Sequence, residues 1–305
     1  MMTIEPYRPA DLTAWIDLLN LQRSSPLSVS FYLQREVTRP RAETVARLVG
    51  AVGLRICGIA EIAKSPYVPA SFLRATLIVE PSHRNAGYGS QLLLSLEQCA
   101  RDSGFEGLVC EQDLQTDKAS SWLVKRGFHI AVRRRSSRLS LRDKSLDSAN
   151  IQTMTPEINI EPVPDTEDGW KRTISFLRER LAETPDLRDL PPWTPELVED
   201  VFRRGPHARS DWVVRATNAG DTLGIAAMHE QGDDAYIYFV GVSPRARNQK
   251  IGTALLGRLI DLATRAGRRY VNIDNMESNL AALRINDKLG FMPVSIRLEL
   301  RKALS

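Results

Sequence analysis

An α/β fold built twice in tandem is what this 305-residue chain predicts. Three observations predict it. The stretch from Leu73 to Phe128 returns as Tyr236 to Phe291, with Pro81/Pro244, Arg84/Arg247, Gly89/Gly252, Gly104/Gly267 and the two Gly-Phe pairs each 163 residues apart. Within each copy, strand-type and helix-type apolar periodicity alternate. Each copy also has a strand running into a proline, a short basic turn and a long amphipathic helix. A period this long is too large for a solenoid unit and right for two whole domains. The domains are expected at 1–145 and 158–305, with a polar, aperiodic linker over 146–157.

In the first copy a strand is expected over 3–8. Asp11 is placed to cap a helix that carries Leu12, Trp15, Leu18 and Leu19. A short helix over 28–36 and strands over 45–52 and 54–60 follow. The strand 73–79 leads into the helix 88–101, then the strand 107–111 and a helix over 116–125. Gly127 is suited to a left-handed cap, and a last strand pair follows Phe128. The second copy repeats the order: strand 158–162, helices 166–181 and 195–204, strands 212–215, 222–231 and 235–242, helix 251–265, strand 270–274 and helix 279–288. The Pro-rich segment 183–195 has no equally Pro-rich counterpart in the first copy, and such an insertion is either a substrate-shaping element or a plain surface loop.

Composition excludes several classes. Hydrophobic residues make up 43% and charged residues 26%, ordinary for a globular protein. No apolar run reaches the roughly 20 residues of a membrane span, and the start MMTIEPYRPADL has no signal-peptide pattern. No membrane partner and a cytoplasmic location are therefore expected. Cys57, Cys99 and Cys110 lack metal-type spacing, and His83, His129, His207 and His229 form no paired motif, so no metal is expected. A net charge of +4 is weak ground for nucleic-acid binding. The basic run Arg133–Lys144 alternates with Val132, Leu139 and Leu141, which suits a charge-guarded edge strand.

The chemistry-bearing segments are VEPSHRNAGYGSQLL and VSPRARNQKIGTALL. Open amides at a helix N-terminus, the helix dipole and nearby basic side chains make an anion site. Gly87 and Gly89 keep side chains out of an approaching phosphate's path. The turn matches neither a nucleotidase loop nor a dinucleotide-binding GxGxxG followed by the expected acidic residue.

The order VxPxxRxxGxG at a helix start, then a strand, then NxxAxxxxxxxGF is similar to the GNAT acyl-coenzyme A transferase superfamily, and both copies show it. The resemblance implies a mixed β-sheet with helices on both faces, two central parallel strands that splay apart, and acetyl-coenzyme A in the cleft. Its diphosphate would meet Arg84, Asn85, Ala86, Gly87, Tyr88, Gly89 and Ser90 after Val79 in the first copy. In the second copy the equivalents are Arg247, Asn248, Gln249, Lys250, Ile251, Gly252 and Thr253 after Val240 and Val242, with Asn279, Ala282 and Asn286 along the last helix.

Two departures matter. Lys250 stands where Gly87 stands in the first copy. A Tyr that many family members place seven residues after the last helix's Asn is Asn286 here and Leu123 in the first copy; Asn donates a hydrogen bond but no proton. Asn279, Ala282 and Asn286 fall on one helix face. The strand 235–242 is expected to put Tyr236, Tyr238 and Val240 on one face. Glu230, Tyr238 and Asp274 are the candidate proton acceptors, in that order, with Asn286 a candidate near the acyl sulfur, and a bound water is an alternative base. The expected function is transfer of an acetyl group to a primary amine of a small molecule in the C-terminal copy, by a monomer or homodimer. A non-catalytic acyl-coenzyme A sensor and a peptide or lysine acetyltransferase stand as alternatives.

Overall fold

The computed structural model describes residues 2–22, 28–30, 32–33, 43–113, 117–142, 158–184, 187, 189–205 and 208–304. The linker 146–157, Thr116, His207 and part of the helix expected over 28–36 lie outside these residues. The first copy contains β1 (Thr3–Pro6), α1 (Leu12–Asn20), β2 (Thr44–Val52), β3 (Arg55–Ala63), β4 (Phe72–Val79), α2 (Tyr88–Asp102), β5 (Gly107–Asp113), α3 (Asp117–Val124) and β6 (His129–Ser140). The second contains β7 (Asn159–Pro162), α4 (Glu167–Ala182), α5 (Pro195–Glu199), β8 (Val213–Asn218), β9 (Asp221–Gln231), β10 (Asp234–Val242), α6 (Ile251–Arg265), β11 (Tyr270–Met276), α7 (Leu280–Leu289) and β12 (Met292–Ala303).

The compact units cut the chain differently from the repeat. One comprises Met1–Gln112, Lys118–Ala131 and Glu299–Ser305; the other comprises Asp113–Asp117 and Val132–Leu298. Most of β6 thus joins the second unit, and the end of β12, from Glu299, joins the first. In the first unit the order is β1-β2-β3-β4-β5, followed by the end of β12. In the second it is β6-β11-β10-β9-β8-β7. The basic run 133–140 is therefore no edge. It pairs antiparallel with the whole of β11, from Ser140 opposite Tyr270 to Arg134 opposite Met276. Two of its arginines are ion-paired within the unit, Arg133 with Glu277 at 2.8 Å and Arg135 with Asp287 at 2.6 Å.

Both units are mixed sheets with helices on both faces. In the second, α6 covers one face through Leu255, Leu259 and Ile260 against Ala226, Met228, Ala235 and Ile237. On the other face Trp170, Leu177 and Leu181 of α4 and Val198 of α5 pack on Ile225, Ala227 and Phe239. In the first unit Trp15, Ile16 and Leu18 of α1 pack on Val49, Ile59 and Ile78. A glycine sets the close approach of the long helix in each copy. A Cβ on Gly58 would stand 2.8 Å from Leu92 of α2, and one on Gly224 would stand 3.0 Å from Leu255 of α6.

Two local expectations need correction. Asp11 does not cap α1; its carboxylate reaches back to the Arg8 amide at 2.7 Å and closes a 3-10 turn over Pro9–Asp11. The helix expected over 195–204 is α helix only to Glu199 and then opens into a π turn, Asp200–Arg204. Gly127 does adopt the left-handed backbone, at φ 88°.

Candidate active site

The two turns have the same backbone despite different sequences. A 3-10 turn over Pro81–His83 or Pro244–Ala246 is followed by an extended arginine, Arg84 or Arg247. Asn85 and Asn248 are both left-handed at φ 64°, and the residue before each helix is left-handed too, Gly87 at 84° and Lys250 at 60°. Lys250 thus adopts the conformation that the first copy assigns to glycine. Neither N-cap uses its side chain to close the helix end. In α6 the first turn-closing amide outside the helix ladder is Ala254, bonded to the Lys250 carbonyl at 3.0 Å. The preceding amides, from Asn248 to Thr253, have no acceptor outside the helix among the described residues. Gly252 is in ordinary packing, since a Cβ there would touch Ile285 at 3.7 Å and Val242 at 3.9 Å without a clash.

The first copy's turn is more enclosed. Ser90 and Gln91 both bond back to Gly87 at 3.1 and 3.2 Å. A Cβ on Gly89 would stand 3.2 Å from the Trp122 ring. Arg126 lies over that ring at 3.9 Å and donates to Ser90 Oγ at 2.6 Å. Arg84 donates to the Val79 carbonyl at 3.0 Å, and Tyr88 stacks beside His83.

The parallel strands splay in both copies. Pairing of β4 with β5 ends at Arg74 and Val109, and pairing of β10 with β11 ends at Ile237 and Ile273. The copies differ at the mouth of the gap. Ile237 and Phe239 face the consecutive residues Met228 and Ala227, so Tyr238 is the extra residue of a β-bulge. The register of β4 against β3 runs without a break. The repeat offset records the insertion. Leu108 and Val271 are 163 apart, whereas their partners Leu73 and Ala235 are 162 apart.

The bulge changes which side chains share a face, because one added residue reverses the alternation beyond it. Ala235 and Ile237 lie on the α6 side, as do Val240 and Val242, while Tyr238 and Phe239 pack toward α4 and α5. Val240 is therefore on the opposite face from Tyr238, contrary to simple alternation.

The polar side chains gather on the α4 side. The Tyr236 hydroxyl donates to Asp274 Oδ2 at 3.2 Å, and Arg297 meets the same oxygen at 3.0 Å. Burial, and then the Asp274 charge, push the Tyr236 phenol well above its ordinary value, so it stays a donor. Asp274 is 8% exposed and lies opposite Ser136 of β6. In the first copy the equivalent contact is an ion pair, Arg74 to Glu111 at 2.9 Å. His229 stacks between Tyr236 and Tyr238, at ring separations of 5.3 and 5.0 Å. The Tyr238 hydroxyl reaches toward the Val201 carbonyl in the π turn at 3.5 Å.

Glu230 is held by two guanidinium groups, those of Arg209 and Arg268. Asn279 caps α7 by accepting the Ala282 amide at 3.3 Å. Asn286, 1% exposed, donates to Asn275 of β11 at 2.6 Å and so ties α7 to the strand bordering the gap. Among the described residues no cluster of three or more His, Cys, Asp or Glu could hold a metal, and no helix is long and apolar enough to cross a membrane. The bulge, Arg297 and His229's place between the two tyrosines are features that the sequence pattern did not assign. The 162-residue offset that marks the first emerges only from the strand pairing, because the sequence repeat runs ungapped at 163 residues.

Two splayed mixed sheets, each with an open-amide turn after its central strand, define an acyl-transferase fold, and the family follows. Residues 11–128 and 175–291 each match the acetyltransferase (GNAT) family, and the chain belongs to that family. It is a tandem GNAT acyltransferase organised like mycothiol synthase. A curated relative, mycothiol acetyltransferase of Amycolatopsis mediterranei (strain U-32), is 29% identical over 240 residues, 71% of each chain. A GCN5-related N-acetyltransferase from Sphaerobacter thermophilus superposes with a TM-score of 0.78 at 17% identity, covering 99% of this chain and 96% of that one. A tandem GNAT protein from the clavulanic acid biosynthesis pathway superposes with a TM-score of 0.77 at 16% identity, covering 100% and 99%.

Proposed function

We propose that the C-terminal copy transfers an acetyl group from acetyl-coenzyme A to a primary amine of a small molecule. The division of labour follows the repeats, 1–145 and 158–305, joined through 146–157. The observation that carries this reading is the bulge at Tyr238, present in β10 and absent from β4. Bulges re-aim a strand where it must serve a site, and this one sits where the parallel pair separates.

The donor's parts fit the residues present. The amides from Asn248 to Thr253, the dipole of α6 and the charges of Arg247 and Lys250 suit a diphosphate. Gly252 puts no side chain in the diphosphate's path. The β10 edge beyond Ile237, which β11 leaves uncovered, offers backbone groups to an extended amide-bearing arm, with Val240 and Val242 beneath it. When bound, acetyl-coenzyme A supplies the thioester carbonyl that the amine attacks. Backbone amides along that edge would polarise the carbonyl. Asn279 caps the start of α7 through the Ala282 amide, Ile285 of that helix lies near Gly252, and Asn286 fixes the helix to β11.

For the amine's proton, Asp274 meets the requirements better than the other candidates. It borders the gap, and Tyr236 and Arg297 orient one oxygen while the other remains to accept. Glu230 is already engaged by both Arg209 and Arg268, and Tyr238 would act by positioning the acceptor. A bound water can relay the proton to Asp274.

For the first copy a binding-only role is favoured, because Arg74 and Glu111 neutralise each other where the second copy has Tyr236 and Asp274. Arg84 to Ser90 would still hold an anion. Calorimetric titration of acetyl-coenzyme A into the intact protein and into Arg247→Glu and Arg84→Glu variants, followed by an amine screen, tests the assignment. Arg247→Glu should abolish transfer while Arg84→Glu leaves it. The opposite pattern would assign catalysis to the first copy, and no binding by the folded protein would sink the donor reading.

A further inference from the structure

The arginine that opens the α6 turn is already engaged. Arg247 Nη2 stands 2.9 Å from Glu183 Oε2, at the C-terminal end of α4. The other oxygen of the same carboxylate, Oε1, stands 3.1 Å from Arg180 Nη2. Arg180 is only 9% exposed, and its Nε and Nη1 have no hydrogen-bond partner although water cannot reach them. Its stem packs on β10, where a Cβ on Gly241 would stand 3.0 Å from Arg180 Cβ. Its guanidinium lies 5.4 Å from the Phe176 ring, and Nη2 also meets Glu179 at 3.1 Å.

A buried guanidinium with two donors unmet is costly, and one carboxylate split between two arginines satisfies neither fully. Among the described residues the first copy shows no such bridge. Arg84 is held by the neutral Val79 carbonyl, and the nearby Glu80 serves Arg55 and His83.

We propose that Glu183 is a resident stand-in for the donor's diphosphate at Arg247, and that donor binding displaces its carboxylate onto the unmet donors of Arg180. The inference rests on the donor site assigned to the C-terminal copy. An anion reaching the turn competes with Glu183 for Arg247, and the released carboxylate finds its next partner on the same helix without desolvating a new charge. Arg180 is then a positioning residue: it receives Glu183 and touches no substrate. Because Glu183 ends α4, the exchange also links the donor turn to the Pro-rich segment that follows.

The test is calorimetric titration of coenzyme A, with no acceptor present, into the full chain carrying Arg84→Glu so that the first turn is silent. Glu183→Gln removes the competing charge from a half-exposed ion pair and should tighten binding about two- to fivefold. The gain should shrink as salt rises. Arg180→Met removes the receiver and should weaken binding by a similar factor, and adding Glu183→Gln to it should restore the tighter value. Unchanged or weaker binding by Glu183→Gln, a surface variant expected to fold normally, would overturn the proposal while leaving the donor site intact. Failure of the Arg84→Glu protein itself to bind coenzyme A would instead sink the donor site, and the proposal with it.

Discussion

Replacing Lys302 by Met would test how the exchanged end of β12 is held. Lys302 Nζ stands 2.6 Å from Glu97 Oε1 on α2, within the first unit. The Glu97 side chain is 6% exposed and that of Lys302 22%. Met keeps the apolar stem, which runs past Gly127, and deletes only the charge. Breaking a fully buried pair by removing one partner costs about 3–5 kcal/mol, because the remaining charge is stranded. Water reaches about a fifth of the lysine here, so the expected cost is reduced to about 2–3 kcal/mol. Urea unfolding followed by hydrogen exchange of the α2 amides reads the first unit separately from the second. Glu97→Leu combined with Lys302→Met should recover stability to within about 1 kcal/mol of the parent, since neither charge then remains buried. A loss below about 0.5 kcal/mol for Lys302→Met alone would refute the reasoning and show the pair to be screened by solvent.

Other outcomes follow from the site. Lys250→Gly should stabilise the protein by about 0.5–1 kcal/mol, read in a thermal melt, because a left-handed backbone strains any residue with a Cβ; destabilisation would mean that the lysine side chain has a structural partner. Deletion of Tyr238 should leave the circular dichroism spectrum in place but cut acetyl transfer to the amine found by screening by about 100-fold or more. Undiminished turnover would remove the bulge from the mechanism. Burial, with Glu111 beside it, pushes the Cys110 thiol up to about 12. The folded state therefore keeps a proton that the unfolded chain releases near its ordinary value, so this stabilising contribution is complete below about pH 9 and lost as pH climbs toward 12. Cys110→Ala should flatten the alkaline fall in melting temperature between pH 8 and 11, and an unchanged slope would contradict it.

The repeat made most of the fold legible, because Pro81/Pro244 and the glycines mark where each strand ends and each helix begins. It also located the turns, and the structure gives each the same left-handed asparagine, Asn85 or Asn248. What it concealed has physical reasons. Tyr238 adds one residue to a strand whose neighbours are all β-forming, so an ungapped alignment passes over it and misassigns the face of Val240. The partner of β6 was unreadable because alternation such as Leu139 with Leu141 states that one face is buried, not which sheet buries it. Asp11 has a capping residue's identity, yet its carboxylate closes the preceding turn at Arg8 instead. The roles of Glu183 and Arg180 depend on side chains that meet across α4, β10 and the α6 turn, and no local pattern encodes that meeting.

The traded last strands carry a consequence for what either half could be alone. A polypeptide holding one copy would send its final strand away from its own sheet and leave β5 or β11 with an open edge. Two such polypeptides would repair each other by reciprocal exchange, giving a swapped homodimer. Joining the copies in one chain makes that encounter intramolecular, at an effective concentration set by the connection instead of by expression level. A cut at the linker would therefore not liberate two domains. A fragment beginning at residue 158 would lack β6 and bare β11 from Tyr270 to Met276, a template for association with other chains.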